Sequence, residues 1–565
     1  MKNNTLRVKR RLIAIAISIL TSSSTMAAIY DLPENQQSNF NDLDQIGVQP
    51  DELESSSSFL ETLQQNENSN KKKSYLEIFD LLKQNKLADA RTEITALLAQ
   101  NPREPEFYNL QALLEILEKD TTSARQSFQK AIQLDPDNLT AYLGLAKLTL
   151  DADDLNKAKE YSNKALAINN KSIKAYLVLA DIAHKEKNPR EVENILLTAL
   201  NKTKGNVAAE IEVIKHLSKF YAANKQPDKI LSLGQEIAGR YPNNSMALST
   251  LAGAQLINGQ RQSAEQTLLQ LVNLDKQDIN HRLLLARLFI EHPDKEKEVF
   301  KLLDEASEID PSKPQALIFR TAYLTKLKRY REALENVDRI NRQFPAMAIG
   351  KMLQGDVYLA EKKLDKALAA YQQVYQVAPN NKILFIIADL MNVQDNPAGA
   401  LQFLNSELEK NPENNAIHFK LAAIHLQRQN YEQAETHYQA ILLDQPDNAL
   451  ALNNLAGIYS LQHKPQALEL AKSAYNKAPG SAMVADTYGY ILIKQGQHQE
   501  GLALLEKAAA SAPQANDIQF HLAEAYSVNG NNKQAIEILE NIKKSEQPFP
   551  EKEAAVNLLN QLKTN

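Results

Sequence analysis

Three histidines have a spacing that could support metal chemistry. His418 and His425 are seven residues apart, which places both on one face of a predicted helix, and His437 falls on the helix that follows. Three imidazoles can bind a zinc ion. No H-E-x-x-H arrangement accompanies them, so partly exposed helix histidines are the favoured interpretation. A metal-dependent enzyme built on these three residues stays open as an alternative.

The rest of the sequence lacks the motifs of a catalyst. It contains no G-x-S-x-G, no Walker loop and no G-x-G-x-x-G, and its acidic residues are scattered at helical spacing, as on a solvated surface. The absence of cysteine excludes disulfides, zinc–thiolate sites and a cysteine nucleophile. A formal charge of −5 argues against nucleic-acid binding through bulk charge. The sequence therefore predicts a protein that is not an enzyme and that uses no cofactor or metal.

Turn signals recur along the chain at an interval of about 34 residues. The prolines in this series are Pro102, Pro136, Pro242, Pro311, Pro345, Pro379, Pro412, Pro446, Pro479 and Pro513. Each follows a helical run that ends in a motif such as AIQLDP or VYQVAP, where proline stops one helix and prepares the next turn. Glycine is scarce, at 16 of 565 residues, which favours helix over strand and turn. The pattern predicts an all-α chain of helix–turn–helix units.

The side chains within each unit support this assignment. In the unit that begins at residue 105, Ala112, Ala124 and Ala131 put small residues at positions 8, 20 and 27. Tyr108 and Phe128 put large residues at positions 4 and 24 of the same unit. Small residues let two helices approach closely, and large residues fill the space between units. The two helices of a unit are therefore expected to pack at close range.

This pattern resembles the tetratricopeptide repeat (TPR) family over about residues 71–549. The resemblance implies a superhelical solenoid of about 14 helix–turn–helix units, with a polar capping helix at residues 550–565. An insertion near residues 200–212 is expected to bend the stack or to divide it into two lobes. The division separates N-terminal repeats at 71–210 from C-terminal repeats at 211–549.

Two segments precede the repeats. Residues 1–28 combine basic residues, a short apolar run and a small polar stretch, the three parts of a signal peptide, with cleavage expected at Ala27 or Ala28. An uncleaved membrane anchor is the alternative, although the apolar run is shorter than the about 20 residues of a spanning helix. Residues 29–70 hold nine acidic residues and no lysine or arginine, so we expect a disordered segment, either a solvated tether or one that folds on a partner. These features predict a periplasmic protein of a Gram-negative cell, or a secreted protein.

Positions 5, 6 and 9 of each first helix point into the groove of such an array, which is the usual surface for extended peptides or partner helices. In the C-terminal units these positions carry polar or aromatic side chains, and we expect the position-6 members to form a row. The same residues could equally be ordinary exposed positions on a curved surface. The candidates are Lys420, Asn453, Asn454, Asp486, Thr487, Tyr490, His521 and Glu524.

Residues 449–540 carry a more specific resemblance. The elements NNLA at 453–456, D-T-x-G at 486–489 and HLA at 521–523 resemble TPR proteins encoded with exosortase (PEP-CTERM) and exopolysaccharide systems. That family usually has tryptophan where this chain has Tyr490, and its members are typically lipoproteins, whereas this chain has no cysteine. The resemblance implies a scaffold for other envelope proteins in exopolysaccharide or surface-protein export. Similar motifs in an adaptor of a periplasmic protease leave open a second role, as an adaptor or holdase for protease clients.

Overall fold

The computed structural model describes residues 69–545, 549 and 551–564. The predicted signal peptide, its cleavage site at Ala27 and Ala28, and nearly all of the acidic segment lie outside the described residues. The described part of the chain forms 29 α-helices and one 3₁₀ turn at Pro293–Lys295, with no strand. Among these helices, none combines the length and the apolar character that crossing a bilayer requires.

The chain divides into two compact units, one that ends at Leu327 and one that begins at Lys328. The first unit holds seven consecutive helix pairs, α1 to α14, followed by α15. Its helices are α1 (Ser69–Lys83), α2 (Leu87–Gln100), α3 (Pro105–Leu117), α4 (Thr121–Leu134), α5 (Leu139–Asp151), α6 (Leu155–Ile168), α7 (Ile173–Lys185), α8 (Pro189–Thr203), α9 (Val207–Ala223), α10 (Pro227–Arg240), α11 (Ser245–Ile257), α12 (Arg261–Leu274), α13 (Ile279–Phe289), α14 (Glu296–Ile309) and α15 (Gln315–Lys326).

The second unit begins with α16, continues with six helix pairs, α17 to α28, and ends with the single helix α29. Its helices are α16 (Tyr330–Gln343), α17 (Ile349–Ala360), α18 (Leu364–Val377), α19 (Asn381–Val393), α20 (Pro397–Lys410), α21 (Asn415–Gln427), α22 (Tyr431–Asp444), α23 (Ala449–Leu461), α24 (Ala467–Lys477), α25 (Ala482–Lys494), α26 (His498–Ser511), α27 (Asn516–Val528), α28 (Asn532–Lys544) and α29 (Lys552–Thr564). The prediction of an all-α array of about 14 helix–turn–helix units with a terminal capping helix is confirmed. The division predicted after residue 210 stays a prediction.

Polar side chains fix where many of the first helices begin. The Asn138 Oδ1 accepts a hydrogen bond from the Ala141 N–H at 2.9 Å, and the Asn448 Oδ1 accepts one from the Ala451 N–H at 3.1 Å. Each bond satisfies a backbone donor that has no partner within its own helix. Both asparagines come two residues after a proline of the 34-residue series. Helix end and helix start are therefore encoded within a few residues of each other.

The turn between the two helices of a pair contains a residue in the left-handed backbone conformation, and in most pairs this residue is not glycine. Lys119, Lys187 and Lys362 have φ values of 66°, 57° and 63° at this point, and Gly259 and Gly496 take the same place in other units. Positive φ is uncommon for residues with a Cβ. The sequence pattern located the proline turn between units but gave no sign of this second turn. Its tolerance of lysine explains how a chain with so little glycine makes so many turns.

The predicted close approach of the two helices within a unit is confirmed. A Cβ built on Gly489 of α25 would lie 2.9 Å from the Gly501 carbonyl oxygen of α26, and one built on Gly501 would lie 2.7 Å from the Gly489 oxygen. Ala112 and Ala124 take the equivalent places in an earlier unit, and both are fully buried. Small residues thus set the distance between the helices of a pair. The spacing between the two helices of a pair also determines where the first helix holds the side chains that do not face its partner helix.

The insertion near residues 200–212 lengthens helix α9, which has 17 residues where α3, α5 and α7 have 13, and one buried carboxylate fixes the turn before it. The Glu210 side chain is fully buried and forms an ion pair with Arg240 at the end of α10. Its Oε1 also accepts hydrogen bonds from the Tyr241 hydroxyl at 2.6 Å and from the Gly205 N–H at 2.9 Å. Gly205 has a φ of 95°, a conformation that favours glycine. The turn before α9 is therefore tied to the helix pair α9 and α10.

Candidate binding groove on the first helices

The candidate site lies in the compact unit that begins at Lys328, on the first helix of each of its helix pairs. We call the side of these helices that carries repeat positions 5, 6 and 9 the groove surface. Lys420 lies on it in α21, and its Nζ donates a hydrogen bond to the Asp389 Oδ1 of α19 at 2.6 Å. The same Nζ lies 5.6 Å from the centre of the Phe385 ring. Lys420 therefore joins two neighbouring first helices and is partly shielded from solvent.

Asn453 and Asn454 form a short chain of hydrogen bonds on α23, the first helix of the following helix pair. The Asn454 Nδ2 donates to the Tyr438 hydroxyl of α22 at 3.1 Å, and the Asn453 Nδ2 donates to the Asn454 Oδ1 at 3.4 Å. Asn453 is 4% exposed, and its Oδ1 is buried with no hydrogen-bond partner in the described part of the chain. Most buried acceptors in proteins are paired. Asn453 thus carries an unpaired acceptor that is shielded from solvent in this structure.

Asp486 and His521 form a pair that joins two adjacent repeats of the groove surface. The His521 Nδ1 of α27 lies 2.9 Å from both carboxylate oxygens of Asp486 in α25. The exposed fractions of the two side chains are 18% and 10%. The Tyr490 ring stacks on the imidazole, with 4.0 Å between ring centres and 24° between planes. These contacts fix the orientation of the imidazole and leave one edge of the cluster open to solvent.

Three further side chains complete this part of the surface. The Lys494 Nζ lies 4.7 Å from the centre of the Tyr490 ring and 3.6 Å from the Glu524 Oε1. The Oε2 atoms of Glu524 and of Glu551, just before α29, are buried and have no hydrogen-bond partner among the described residues. The predicted candidate Thr487 bonds locally, since its Oγ1 donates to the Met483 carbonyl oxygen at 3.1 Å. The surface therefore offers acceptors in excess of donors.

Neighbouring charges raise the pKa of His521 above the ordinary histidine value. Burial by itself lowers this pKa, but the hydrogen bond to Asp486 and the charges of Asp486, Glu524 and Glu551 outweigh burial. Burial also raises the pKa of Tyr490, which stays neutral. A larger fraction of the His521 imidazole is therefore charged at neutral pH than in an isolated histidine.

The structure brings several of the predicted residues into local contact, while the row of position-6 residues stays a prediction. Asp486, Tyr490, His521 and Glu524 come together, Asn453 and Asn454 form a second group, and Lys420 pairs with Asp389. The binding role of these residues stays a prediction. Lys494 and Glu551 were missed by the sequence analysis, because neither occupies position 5, 6 or 9.

Two exposed apolar residues on the groove surface were also missed. Leu450 and Met483 are 41% and 47% exposed. Each lies four residues before a predicted candidate, Asn454 and Thr487 respectively, and so shares its helix face. The sequence did carry a signal for them, because an apolar residue recurs at position 2 of these two successive helix pairs. A bound segment would meet both apolar side chains and hydrogen-bond acceptors on this surface.

The three histidines of the metal hypothesis lie together in the helix pair α21 and α22. The His418 Nε2–H donates to the Pro412 carbonyl oxygen at 3.0 Å, which leaves its Nδ1 to accept from the His437 Nδ1 at 2.9 Å. The His425 and His437 rings stack with 5.7 Å between centres. In the described ranges no group of three such side chains has an arrangement that could hold a metal ion. His418 and His437 thus form a hydrogen-bonded pair, which we call the histidine relay, and the His425 ring stacks on His437.

Acid is expected to destabilise this histidine relay. Burial, followed by the charges of His418 and His425, lowers the pKa of His437 from 6.5 to about 4. The unfolded chain therefore takes up the proton first, and the free energy of unfolding falls as pH drops from 6.5 towards 4. His437→Gln keeps a donor to His418 but does not titrate. Its melting temperature should fall less between pH 7 and pH 5 than that of the parent, by about 2 °C.

The control for this measurement is His184→Gln, which removes an exposed histidine of α7. It should show the same fall in melting temperature as the parent. An unchanged acid sensitivity in His437→Gln would contradict the proposed cause.

The fold defines a class, the all-helical repeat protein built from helix pairs, and here the first helices carry polar and apolar side chains on one side. Sequence models of the tetratricopeptide repeat match residues 75–139 and 323–382 in one case and residues 393–457 and 492–562 in another. The chain is a tetratricopeptide repeat protein.

Named relatives share this repeat over part of their length. Tetratricopeptide repeat protein 21A of Homo sapiens is 25% identical over 269 residues, which are 47% of this chain and 19% of the relative. The TPR repeat-containing protein PA4667 of Pseudomonas aeruginosa is 26% identical over 180 residues, which are 31% of this chain and 30% of the relative. The chain thus spans less than a third of the length of either relative.

Two solved structures align with this chain at low sequence identity. The structure of Naa15/Naa10 bound to HypK-THB has a TM-score of 0.42 and 12% identity, with 96% of each chain covered. A tetratricopeptide repeat protein from Parabacteroides merdae has a TM-score of 0.34 and 19% identity, with 44% of this chain and 98% of that chain covered.

Proposed function

We propose that this chain is a scaffold of the cell envelope that holds a protein partner against the groove surface of its C-terminal repeats. Tetratricopeptide repeats form protein-interaction scaffolds, and proteins of this family are generally not enzymes. The observation that carries the proposal is the groove surface itself. It combines the unpaired Asn453 Oδ1 with the exposed side chains of Leu450 and Met483. A bound polypeptide supplies both a backbone N–H donor and apolar side chains.

The envelope location rests on sequence. Residues 1–28 have the composition of a signal peptide, which supports export to the periplasm or beyond. The motifs at 453–456, 486–489 and 521–523 support a role in exopolysaccharide or surface-protein export. On this proposal the chain catalyses no reaction and acts by bringing envelope proteins together.

Cell fractionation followed by affinity capture tests this proposal. The full chain with a C-terminal tag should be found in the periplasmic or secreted fraction, and it should capture a polysaccharide synthase, export or sorting component. Capture of cytosolic proteins alone would contradict the envelope role. Capture of an envelope protease with unfolded clients would contradict the export role and would favour the adaptor, for which Leu450 and Met483 provide apolar contacts.

A matched pair of variants ties capture to the surface. Met483→Glu places a charge on the groove surface and should reduce recovery of the partner about tenfold or more, since it puts a charge into an apolar contact. Leu443→Glu changes an 87% exposed apolar residue on the second helix α22 and should leave recovery unchanged. Equal recovery with both variants would argue against binding on the first helices.

A further inference from the structure

Six side chains at the end of the second unit form what we call the terminal cluster. Helix α25 contributes Asp486, Tyr490 and Lys494, helix α27 contributes His521 and Glu524, and Glu551 precedes α29. Helix α27 packs against both α25 and α29, so the three helices bring these side chains to one place. The exposed fractions of the Lys494 and Glu524 side chains are 51% and 25%, so the cluster is open at one edge.

The terminal cluster has hydrogen-bond acceptors that the described chain does not satisfy. The Glu524 Oε2 and the Glu551 Oε2 are buried and lack a donor within the described ranges. Asn453, on the groove surface of α23, is 4% exposed, and its Oδ1 also lacks a donor there. A buried acceptor without a donor is costly. All three atoms can accept a further hydrogen bond, and for a carboxylate the strongest donor is a cationic group.

The charges of the terminal cluster depend on a single proton. The three carboxylates of Asp486, Glu524 and Glu551 face one fixed cation, Lys494. With His521 neutral, the cluster carries two uncompensated negative charges, and with His521 protonated it carries one. The Nδ1 of His521 is bound to Asp486, so the imidazole is held in the cluster in both states.

We propose that the terminal cluster receives a lysine or arginine side chain of the bound partner, and that the proton on His521 opposes this binding. The inference rests on the proposed function, because it describes how the groove surface recognises its partner. The incoming cation would pair with the carboxylates of Glu524 and Glu551.

The sign of the pH effect follows from the groups that face His521. Asp486 and Tyr490 face it from α25, Glu524 from its own helix and Glu551 from the start of α29, while Lys494 lies beyond Tyr490. Raising the pH removes the proton from His521 and with it one positive charge of the cluster. A cationic ligand should therefore bind more tightly as pH rises through the pKa of His521. By reciprocity the bound ligand should lower the pKa of His521.

Peptide binding to the purified chain tests the inference. The probe is a fluorescein-labelled peptide, (GSR)4, and its control carries the neutral isostere citrulline in place of arginine. Anisotropy titrations at pH 6 and pH 8 should show binding of the arginine peptide alone, tighter at pH 8 by about threefold to tenfold, as expected for one added charge at the edge of a protein. His521→Gln should bind equally at both values of pH.

Variants of the carboxylates separate the site from general charge effects. The double variant Glu524→Gln with Glu551→Gln should bind the arginine peptide about tenfold more weakly at both pH 6 and pH 8, because it removes two charge-assisted bonds. Glu537→Gln, on an exposed part of the second helix α28, and His184→Gln, on α7, should match the parent. Thermal melts of each variant confirm that it is folded.

Three results would overturn the inference: no binding of (GSR)4, binding that is tighter at pH 6, or a pH dependence that persists in His521→Gln. These results are distinct from a failure of the proposed function. If the tagged chain captures an envelope partner while (GSR)4 does not bind, the scaffold role stands and the terminal cluster is not its cation site.

Discussion

Arg240→Met is expected to destabilise the helix pair α9 and α10 by about 3 to 5 kcal/mol, the typical effect of removing one partner of a buried ion pair. Arg240 pairs with Glu210, which is fully buried. Methionine leaves the carboxylate with the Tyr241 hydroxyl and the Gly205 N–H, which are neutral donors. The turn at Gly205 depends on the same carboxylate, so helix α8 should loosen as well.

Hydrogen exchange is the appropriate measurement, because a repeat array can open locally without unfolding as a whole. Amides of residues 207–240 should exchange faster in Arg240→Met, while those of the second unit serve as an internal reference. The control is Arg331→Met, which removes an ion pair to Glu335 whose side chains are 92% and 62% exposed. That variant should change the free energy of local opening by less than about 0.5 kcal/mol. Equal effects in the two variants would contradict the structural role of Glu210.

Gly489→Leu is expected to cost about 3 kcal/mol or more and to disrupt the terminal cluster at the same time. A Cβ at this position would lie 2.9 Å from both the Gly501 oxygen and the Leu505 Cγ. Backbone atoms of α26 cannot move aside unless the two helices separate. Helix α25 carries Asp486 and Tyr490, so its displacement should also break the contacts that hold His521.

The matched control for this substitution is Gly457→Ala in α23, where an added Cβ meets no atom within 4 Å. It should stabilise the chain by about 0.5 to 1 kcal/mol, since alanine favours a helix interior over glycine. Melting temperatures give the stability of both variants, and the His521 pKa from NMR reports on the cluster. A Gly489→Leu variant that melts like the parent would show that the close approach is not needed.

The repeat architecture follows from sequence because it depends on local signals. The proline series marks the ends of units, caps such as Asn138 mark the starts of helices, and small residues such as Gly489 and Gly501 mark the contact within a pair. Each of these signals acts over a few residues or between adjacent helices. Their spacing at about 34 residues then determines the number of units.

The candidate site was only partly predictable, because its contacts join residues on neighbouring units. The pairing of Asp486 with His521 depends on how far one first helix is shifted against the next, which no local pattern encodes. Glu551 precedes the capping helix, outside the repeat positions, so its approach to His521 had no counterpart in the pattern. The contact of His418 with His437 likewise follows from the antiparallel packing of α21 and α22.

The most direct measurement of the central claim is site-specific photocrosslinking in the native cell. A benzoylphenylalanine placed at Met483 on the groove surface should form a crosslink to a partner protein. The same residue placed at Leu443, on the second helix α22, is exposed to a similar or greater degree and should not. The groove account predicts a partner band at position 483 alone. A band at 443 alone, or equal bands at both positions, would contradict it.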